Sequence, residues 1–304
     1  MTDAQTDAQI LTLPDGRALE YLTGGDPDGV GFVYHSGTPS AAVTHAPLWD
    51  AAARAGLRLV TCSRPGYGAS TPRPEPDGWP VPLLEDATDT AHLLDALGIG
   101  EFVTVGWSGG GPRALACAAA MPDRCRGAVS LAGVAPYAAE GLDWFGDMGP
   151  ENVRDFRLAE RGREAYRPTA EEQAAELGAV TGDDVVAAFG GLVGEVDAAA
   201  LTGELADYVA ASFRHAMAQG VTGMLEDSLQ VVRPWGFDVA SLTVPVAVWQ
   251  GAHDKMVPFT HGEWLAATIP GARARLFEDE GHLSLVVRIE EILADLVEIA
   301  GLDS

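Results

Sequence analysis

The sequence predicts an α/β fold: a mostly parallel sheet of eight strands flanked by helices, with a helical segment inserted after the sixth strand. Three observations carry that expectation. Short apolar runs alternate with longer helix-patterned stretches over the first 135 residues and again after about residue 240. Several of the runs are continuously apolar rather than alternating, the mark of strands covered on both faces. Between these two parts, residues 137–235 are acidic, helix-patterned and almost free of strand-like runs. The chain therefore divides into a core of residues 1–136 and 236–304 and an inserted cap of residues 137–235. At 304 residues it suits one large domain with an insertion. Neither a fixed-period repeat nor a low-complexity tract interrupts it.

Taken in order, the first two strands are expected over residues 10–13 and 19–22, both short apolar runs. The third runs over 31–35, through Phe32, Val33 and Tyr34 into His35, and the fourth over 58–62. A helix over 84–97 then leads to the fifth strand, 102–105. A glycine-rich turn follows, and Pro112 opens the next helix, 113–121, at a favourable first-turn position. The sixth strand is 128–131. Within the insertion, the clearest helical patterns are 170–177 and 204–217. The core resumes with strand 246–250, helix 262–267, strand 274–277 and helix 290–299. Strand, helix, strand in that order makes neighbours parallel, with helices on both faces.

Composition narrows the function. Asp and Glu number 44 against 19 Lys and Arg, a formal net charge of -25, and Lys255 is the only lysine. Such a chain repels phosphate backbones and anionic lipid, so nucleic acid and membrane surfaces are not expected partners. Solubility and tolerance of high salt are expected instead, since screening relieves the self-repulsion. The longest apolar run, residues 114–121, is too short to span a bilayer. Met1-Thr2-Asp3-Ala4-Gln5 carries no basic stretch and no apolar core, so no secretory signal is expected. Cys62, Cys117 and Cys125 are odd in number and form no CxxC pair, which argues against a disulfide frame or a zinc site. A cytoplasmic protein acting on a small molecule fits these facts.

The sharpest motif is Gly106-Trp107-Ser108-Gly109-Gly110, entered from a strand and left into a helix. A serine on so sharp a turn has strained backbone angles. The chain on either side passes so close that side chains at positions 106 and 110 would collide, hence the glycines. The turn also leaves Ser108 at a helix N-terminus, which favours developing negative charge. Gly109-Gly110-Gly111-Pro112-Arg113-Ala114 matches a dinucleotide fingerprint as well. That motif needs an acidic residue at the end of the next strand, which here reads Ser130-Leu131-Ala132-Gly133, so nucleotide binding loses.

A serine nucleophile needs a base oriented by a third group. Asp254 and His282 fall on loops after consecutive strands, at the sheet edge that carries Ser108, and in the order Ser, Asp, His. His282 is expected to take the Ser108 proton and Asp254 to fix the His282 tautomer. A metal reading of His253, Asp254 and His282 lacks a companion ligand cluster, so neither metal nor cofactor is expected. Acyl transfer also needs two donors for the oxyanion. Gly109 N–H is one. The other comes from Ser36-Gly37-Thr38-Pro39; Pro39 has no N–H, which leaves Gly37 or Thr38, and Thr38 is favoured.

These residues together resemble the α/β-hydrolase superfamily, over essentially the whole chain. The turn at residues 106–110 is similar to its nucleophile motif, Ser36-Gly37-Thr38-Pro39 to its His-Gly-x-Pro oxyanion loop, and Gly251-x-x-Asp254-x-x-Val257-Pro258 and Gly281-His282 to its acid and base loops. Arg64-Pro65-Gly66-Tyr67-Gly68-Ala69-Ser70 resembles the glycine-rich loop after its fourth strand, read as structural. Ser36 replaces the usual first His, with His35 beside it, and Ser63 stands where an Asp commonly precedes the Arg-Pro-Gly run. The resemblance implies a serine hydrolase that cleaves a small, uncharged ester through an acyl-enzyme. Ser108 excludes the branches whose nucleophile is Asp. His35, Gly37, Trp107, Tyr137 and Trp144, with Phe145, are the expected substrate contacts. The resemblance leaves open a proline iminopeptidase-type aminopeptidase, with Glu171, Glu172 and Glu204 holding an amine, although Trp107 precedes the serine where that type has Trp after it. A ligand-binding receptor that kept the fold is the third reading.

Overall fold

A computed structural model describes residues 8–75 and 78–302; the signal-peptide reading at Met1 to Gln5 lies outside them. The strands are β1 (Gln9–Thr12), β2 (Ala18–Gly25), β3 (Val30–His35), β4 (Leu57–Cys62), β5 (Phe102–Trp107), β6 (Cys125–Leu131), β7 (Val246–Gly251) and β8 (Arg273–Phe277). The helices are α1 (Ala46–Arg54), α2 (Glu85–Ala96), α3 (Gly111–Ala120), α4 (Pro150–Glu160), α5 (Arg163–Leu177), α6 (Val185–Ala188), α7 (Glu195–Ala200), α8 (Gly203–Ala216), α9 (Thr222–Val231), α10 (Phe259–Thr268), α11 (Ser284–Val287) and α12 (Ile289–Ile299). One sheet holds all eight strands in the order β1-β2-β4-β3-β5-β6-β7-β8. β2 is antiparallel to both of its neighbours, and every other pair is parallel. β1 and β2 form a hairpin closed by Leu13 N–H donating to Arg17 O at 2.8 Å.

Burial explains the strand pattern. Every residue of β5 and of β7 is buried, whereas β1, at the sheet edge, is largely exposed. Along β3, Phe32 and Tyr34 pack with Leu48 of α1 and Leu296 of α12, while Val33 packs with Leu93 of α2 and Leu115 of α3. Successive side chains of a strand point to opposite faces. A strand covered by helices on both faces is therefore apolar over most of its length, as β3, β5 and β7 are, with His35, Thr104 and Gln250 as polar exceptions.

All six helices α4 to α9 lie between β6 and β7. The expected helix 170–177 is the second half of α5, which begins earlier and carries Pro168 inside it. The expected 204–217 matches α8 within one residue at each end. Leu205, Tyr208, Val209 and Phe213 of α8 join the same cluster as Phe32 and Tyr34. A third cluster ties Ala159 of α4, Tyr166 of α5 and Leu225 of α9 to Tyr67 in the loop after β4. No helix among the described residues is long and apolar enough to cross a membrane.

Candidate active site

Four loops leave the C-terminal ends of the parallel strands β3, β5, β7 and β8, and they carry Thr38, Ser108, Asp254 and His282. β5 passes into α3 through one 3-10 turn, Ser108–Gly110, and Ser108 is held at φ 56°. That is the left-handed region, which a side chain with a Cβ seldom adopts. The flanking glycines are dictated by space. A Cβ on Gly106 would sit 2.0 Å from Gly110 O, and one on Gly110 would sit 2.1 Å from His35 O.

Asp254 and His282 form a buried pair. His282 Nδ1 donates to Asp254 Oδ2 at 2.7 Å, and both side chains are at most 1 % exposed. The carboxylate is fully engaged: Oδ1 accepts from Met256 and Val257 N–H, each at 2.8 Å, and Oδ2 also accepts from Gln250 Nε2 at 2.9 Å. The His282 loop is pinned from α7. Asp197 accepts the N–H groups of His282 at 3.0 Å, Leu283 at 2.7 Å and Ser284 at 3.0 Å. Burial lowers the His282 pKa, but the Asp254 charge and hydrogen bond, with Asp197, outweigh it and leave it above the ordinary 6.5. Nε2 carries no hydrogen bond among the described residues. Asp197 was not anticipated: its three contacts are to backbone, about 85 residues away in sequence, and leave no local pattern.

The loop after β3 packs against the serine turn. A Cβ on Gly37 would lie 3.3 Å from Ser108 Cβ, and one on Gly109 would lie 2.4 Å from Thr38 Oγ1 and 3.4 Å from Thr38 N. The loop is held by Arg64, which donates to Ser36 O and Gly37 O, and by Asp227, which accepts the Thr38 hydroxyl. Arg64 was read as part of a structural loop; it reaches the backbone beside Ser108.

A cavity of about 400 Å³ opens over this edge. Thr38, Ser108 and Gly109 line its floor, and Phe156, Leu177, Phe189, Leu192, Phe213 and Met224 supply much of the apolar wall. Polar groups from the inserted helices include Glu151, Arg154, Asp155, Glu176 and Asp227.

Six expected substrate contacts are absent from the lining, and each has a physical reason. His35 shares the sheet face of Val33, so it turns toward α3, where Nε2 lies 3.5 Å from Cys117 Sγ; burial pushes its pKa down to about 3. The Gly37 carbonyl is taken by Arg64. Trp107 lies beneath the His282 loop, its ring 5.7 Å from the imidazole and its Nε1 donating to His282 O at 3.4 Å. Tyr137 and Trp144 pack edge-to-face with each other and with Phe145, and Trp144 packs the same way on Phe156 and His261. Of that cluster only Phe156 reaches the cavity. Glu171, Glu172 and Glu204 are exposed and absent from the lining too. The three cysteines are free thiols. Among the described residues no group of three His, Cys, Asp or Glu side chains is placed to hold a metal ion.

Comparison with known proteins bears on the whole chain. The family described as alpha/beta hydrolase fold matches residues 32–288. An enol-lactonase from Burkholderia xenovorans superposes with a TM-score of 0.70 at 20% identity, over 96% of this chain and 100% of that one. A hydrolase from Pseudomonas aeruginosa superposes with a TM-score of 0.65 at 22% identity, over 97% and 98%. Identities this low speak for the fold alone. A dihydrolipoyllysine-residue acetyltransferase component of an acetoin cleaving system, from Cupriavidus necator, is 27% identical over 255 residues, 84% of this chain. The match spans only 58% of that longer protein.

Proposed function

The chain belongs to the alpha/beta hydrolase fold family, and from that premise we propose that it is a serine hydrolase cleaving small, uncharged carboxylic esters. Ser108 Oγ attacks the ester carbonyl carbon as its proton passes to His282 Nε2. The carbonyl electron pair moves onto oxygen, which the N–H groups of Thr38 and Gly109 receive. Asp254 holds Nδ1–H and so fixes the tautomer whose free Nε2 accepts a proton. Collapse expels the alkoxide, which takes the proton from His282 and leaves as alcohol. Water then gives a proton to the same nitrogen as it attacks the acyl-Ser108 carbonyl; the acyl–oxygen bond breaks, Ser108 Oγ takes that proton back from His282, and the acid departs. Residues 137–235 act as the cap that walls off the cavity.

The observation that carries the reading is Ser108 itself: a non-glycine residue at φ 56° on a strand-to-helix turn, lining the cavity floor. The mostly apolar wall suits a neutral acyl or alcohol group. The test is an organophosphonate with a panel of p-nitrophenyl esters. One label at Ser108 and loss of nearly all turnover in Ser108→Ala and in His282→Ala are expected; labelling elsewhere, or full activity in Ser108→Ala, sinks the assignment.

One feature favours a second reading, an aminopeptidase. Glu151, Asp155 and Glu176 line the cap side of the cavity, and Glu151 Oε2 is buried with no hydrogen-bond partner among the described residues. A substrate ammonium would satisfy that oxygen. If aminoacyl nitroanilides exceed every ester in kcat/KM by an order of magnitude, this reading replaces the first.

A further inference from the structure

The inference rests on the serine-hydrolase reading and concerns how the oxyanion donor at Thr38 is aimed. A carbonyl and the N–H of the next residue belong to one rigid peptide plane. Whatever holds the Gly37 carbonyl therefore also orients the Thr38 N–H. Arg64 does this, with Nη2 donating to Gly37 O at 2.6 Å and Nη1 donating to Ser36 O at 2.8 Å. On the serine turn, Arg113 Nη1 donates to Gly109 O at 2.6 Å and so braces the Gly109–Gly110 peptide, the one that follows the Gly109 N–H.

Both guanidiniums converge on one carboxylate. Asp227 Oδ2 accepts from Arg64 Nη2 at 2.5 Å, and Oδ1 accepts from Arg113 Nη2 at 2.8 Å. Oδ2 also accepts the Thr38 hydroxyl at 2.6 Å and the Tyr67 hydroxyl at 3.1 Å. The side chains of Arg64, Arg113 and Asp227 are at most 5 % exposed. Arg64 and Arg113 belong to the core, whereas Asp227 lies on α9, in the inserted segment. Buried ion pairs with saturated hydrogen bonds contribute little net stability, but they fix geometry sharply. A guanidinium on the Gly37 carbonyl also polarises that peptide and strengthens its N–H as a donor.

We infer that Asp227 is a positioning residue for the Thr38 oxyanion donor: from the inserted segment it anchors Arg64, which holds the Gly37–Thr38 peptide, and Arg113, which braces the turn just after the Gly109 donor. The hole is thus assembled jointly by core and insertion. Burial alone would raise the Asp227 pKa, but Arg113 and Arg64 outweigh it and keep the carboxyl below its ordinary value, so the anchor stays ionised at neutral pH.

The test compares wild type with Asp227→Asn, which keeps the shape and one acceptor oxygen but drops the charge that both guanidiniums share. The readouts are ester kcat and KM, the pH profile, and inhibition by an arylboronic acid, whose tetrahedral Ser108 adduct places an oxygen among the oxyanion donors. We expect kcat to fall about 10²-fold and boronate inhibition to weaken in parallel, with KM within about threefold of wild type. The pH inflection set by His282 stays in place. Wild-type kcat overturns the inference. So does a smaller phosphonate-titratable fraction whose boronate constant is that of wild type, because Asp227 would then serve folding alone. If Asp227→Asn does not accumulate folded, Thr38→Val carries the comparison: it keeps the Thr38 N–H and severs only the hydroxyl. A fall of about tenfold in kcat, with boronate inhibition weakening alongside, supports the inference, and wild-type values overturn it. A wild-type protein that neither turns over esters nor binds the boronate overturns the hydrolase reading, and the inference with it.

Discussion

Asp254 shows how much a single carboxylate is asked to do. Its oxygens accept four hydrogen bonds, from His282 Nδ1, Gln250 Nε2 and the N–H groups of Met256 and Val257. Asp254→Asn preserves the shape but sets an amide N–H₂ against Nδ1–H, so His282 must move its proton to Nε2. Turnover is expected to drop by roughly 10⁴ while the protein stays folded, checked by kcat on p-nitrophenyl esters beside circular dichroism. A loss under about tenfold would place the acid elsewhere. Asp227 is not available for that role, because Arg64 and Arg113 occupy it. The pH profile follows from His282. Its raised pKa means that the neutral, proton-accepting ring is reached only above 6.5, so kcat/KM should rise with pH and level off in mildly alkaline solution. A profile already flat at pH ~6 would contradict the Asp254 pairing. At this scale the sequence was legible for Ser108, Asp254 and His282, because each sits on a short motif beside a strand end. It was not legible for Asp197, Arg64, Arg113 or Asp227, whose partners are backbone groups or side chains brought close only by the fold.

Among the elements, the strands were readable because burial on both faces makes them continuously apolar, and α9 was hidden by the reverse effect. Glu226, Asp227, Ser228 and Gln230 of α9 are all buried, although in sequence they read as a solvent face. Three of them meet arginines: Arg73 reaches Glu226 at 3.2 Å, Arg113 reaches Gln230 at 2.8 Å, and Asp227 takes Arg64 and Arg113, whereas Ser228 lines the cavity. Periodicity presumes that polar residues face water, and here they face Arg64, Arg73 and Arg113 instead. A second tie between insertion and core gives a prediction. His215 of α8 lies 2.9 Å from Glu20 of β2; that hydrogen bond raises the His215 pKa despite opposing desolvation. A raised histidine pKa stabilises the fold fully below the unfolded value of ~6.5, and that contribution is lost as pH climbs through the folded pKa. Burial alone would raise the Glu20 pKa, but His215 and Ser63 bring it below the ordinary value, so its contribution fades as pH falls toward the acid range. His215→Gln should therefore lower Tm by about 1–3 °C near pH 6 and by less near pH 9, His215 being only half-buried. Equal shifts at both pH values would rule out the ion pair as the cause.

For the molecule as a whole, the charge of -25 is the dominant long-range force. Raising salt from about 10 mM to 0.5 M should raise Tm and move the kcat/KM inflection to lower pH, since distant carboxylates are screened while Asp254 is not. An inflection unmoved by salt would mean that the field of the whole protein does not reach His282. Anionic esters should have the poorer kcat/KM at low salt and recover as salt is added. The lone lysine has a use of a different kind. Lys255 is exposed, follows Asp254 directly, and its carbonyl accepts the N–H of Gly149, at the start of α4, at 2.7 Å. An amine-reactive fluorophore therefore has one side-chain address on this chain, at the seam between the acid loop and the inserted helices. Its emission becomes an optical gauge of that seam as ligands enter.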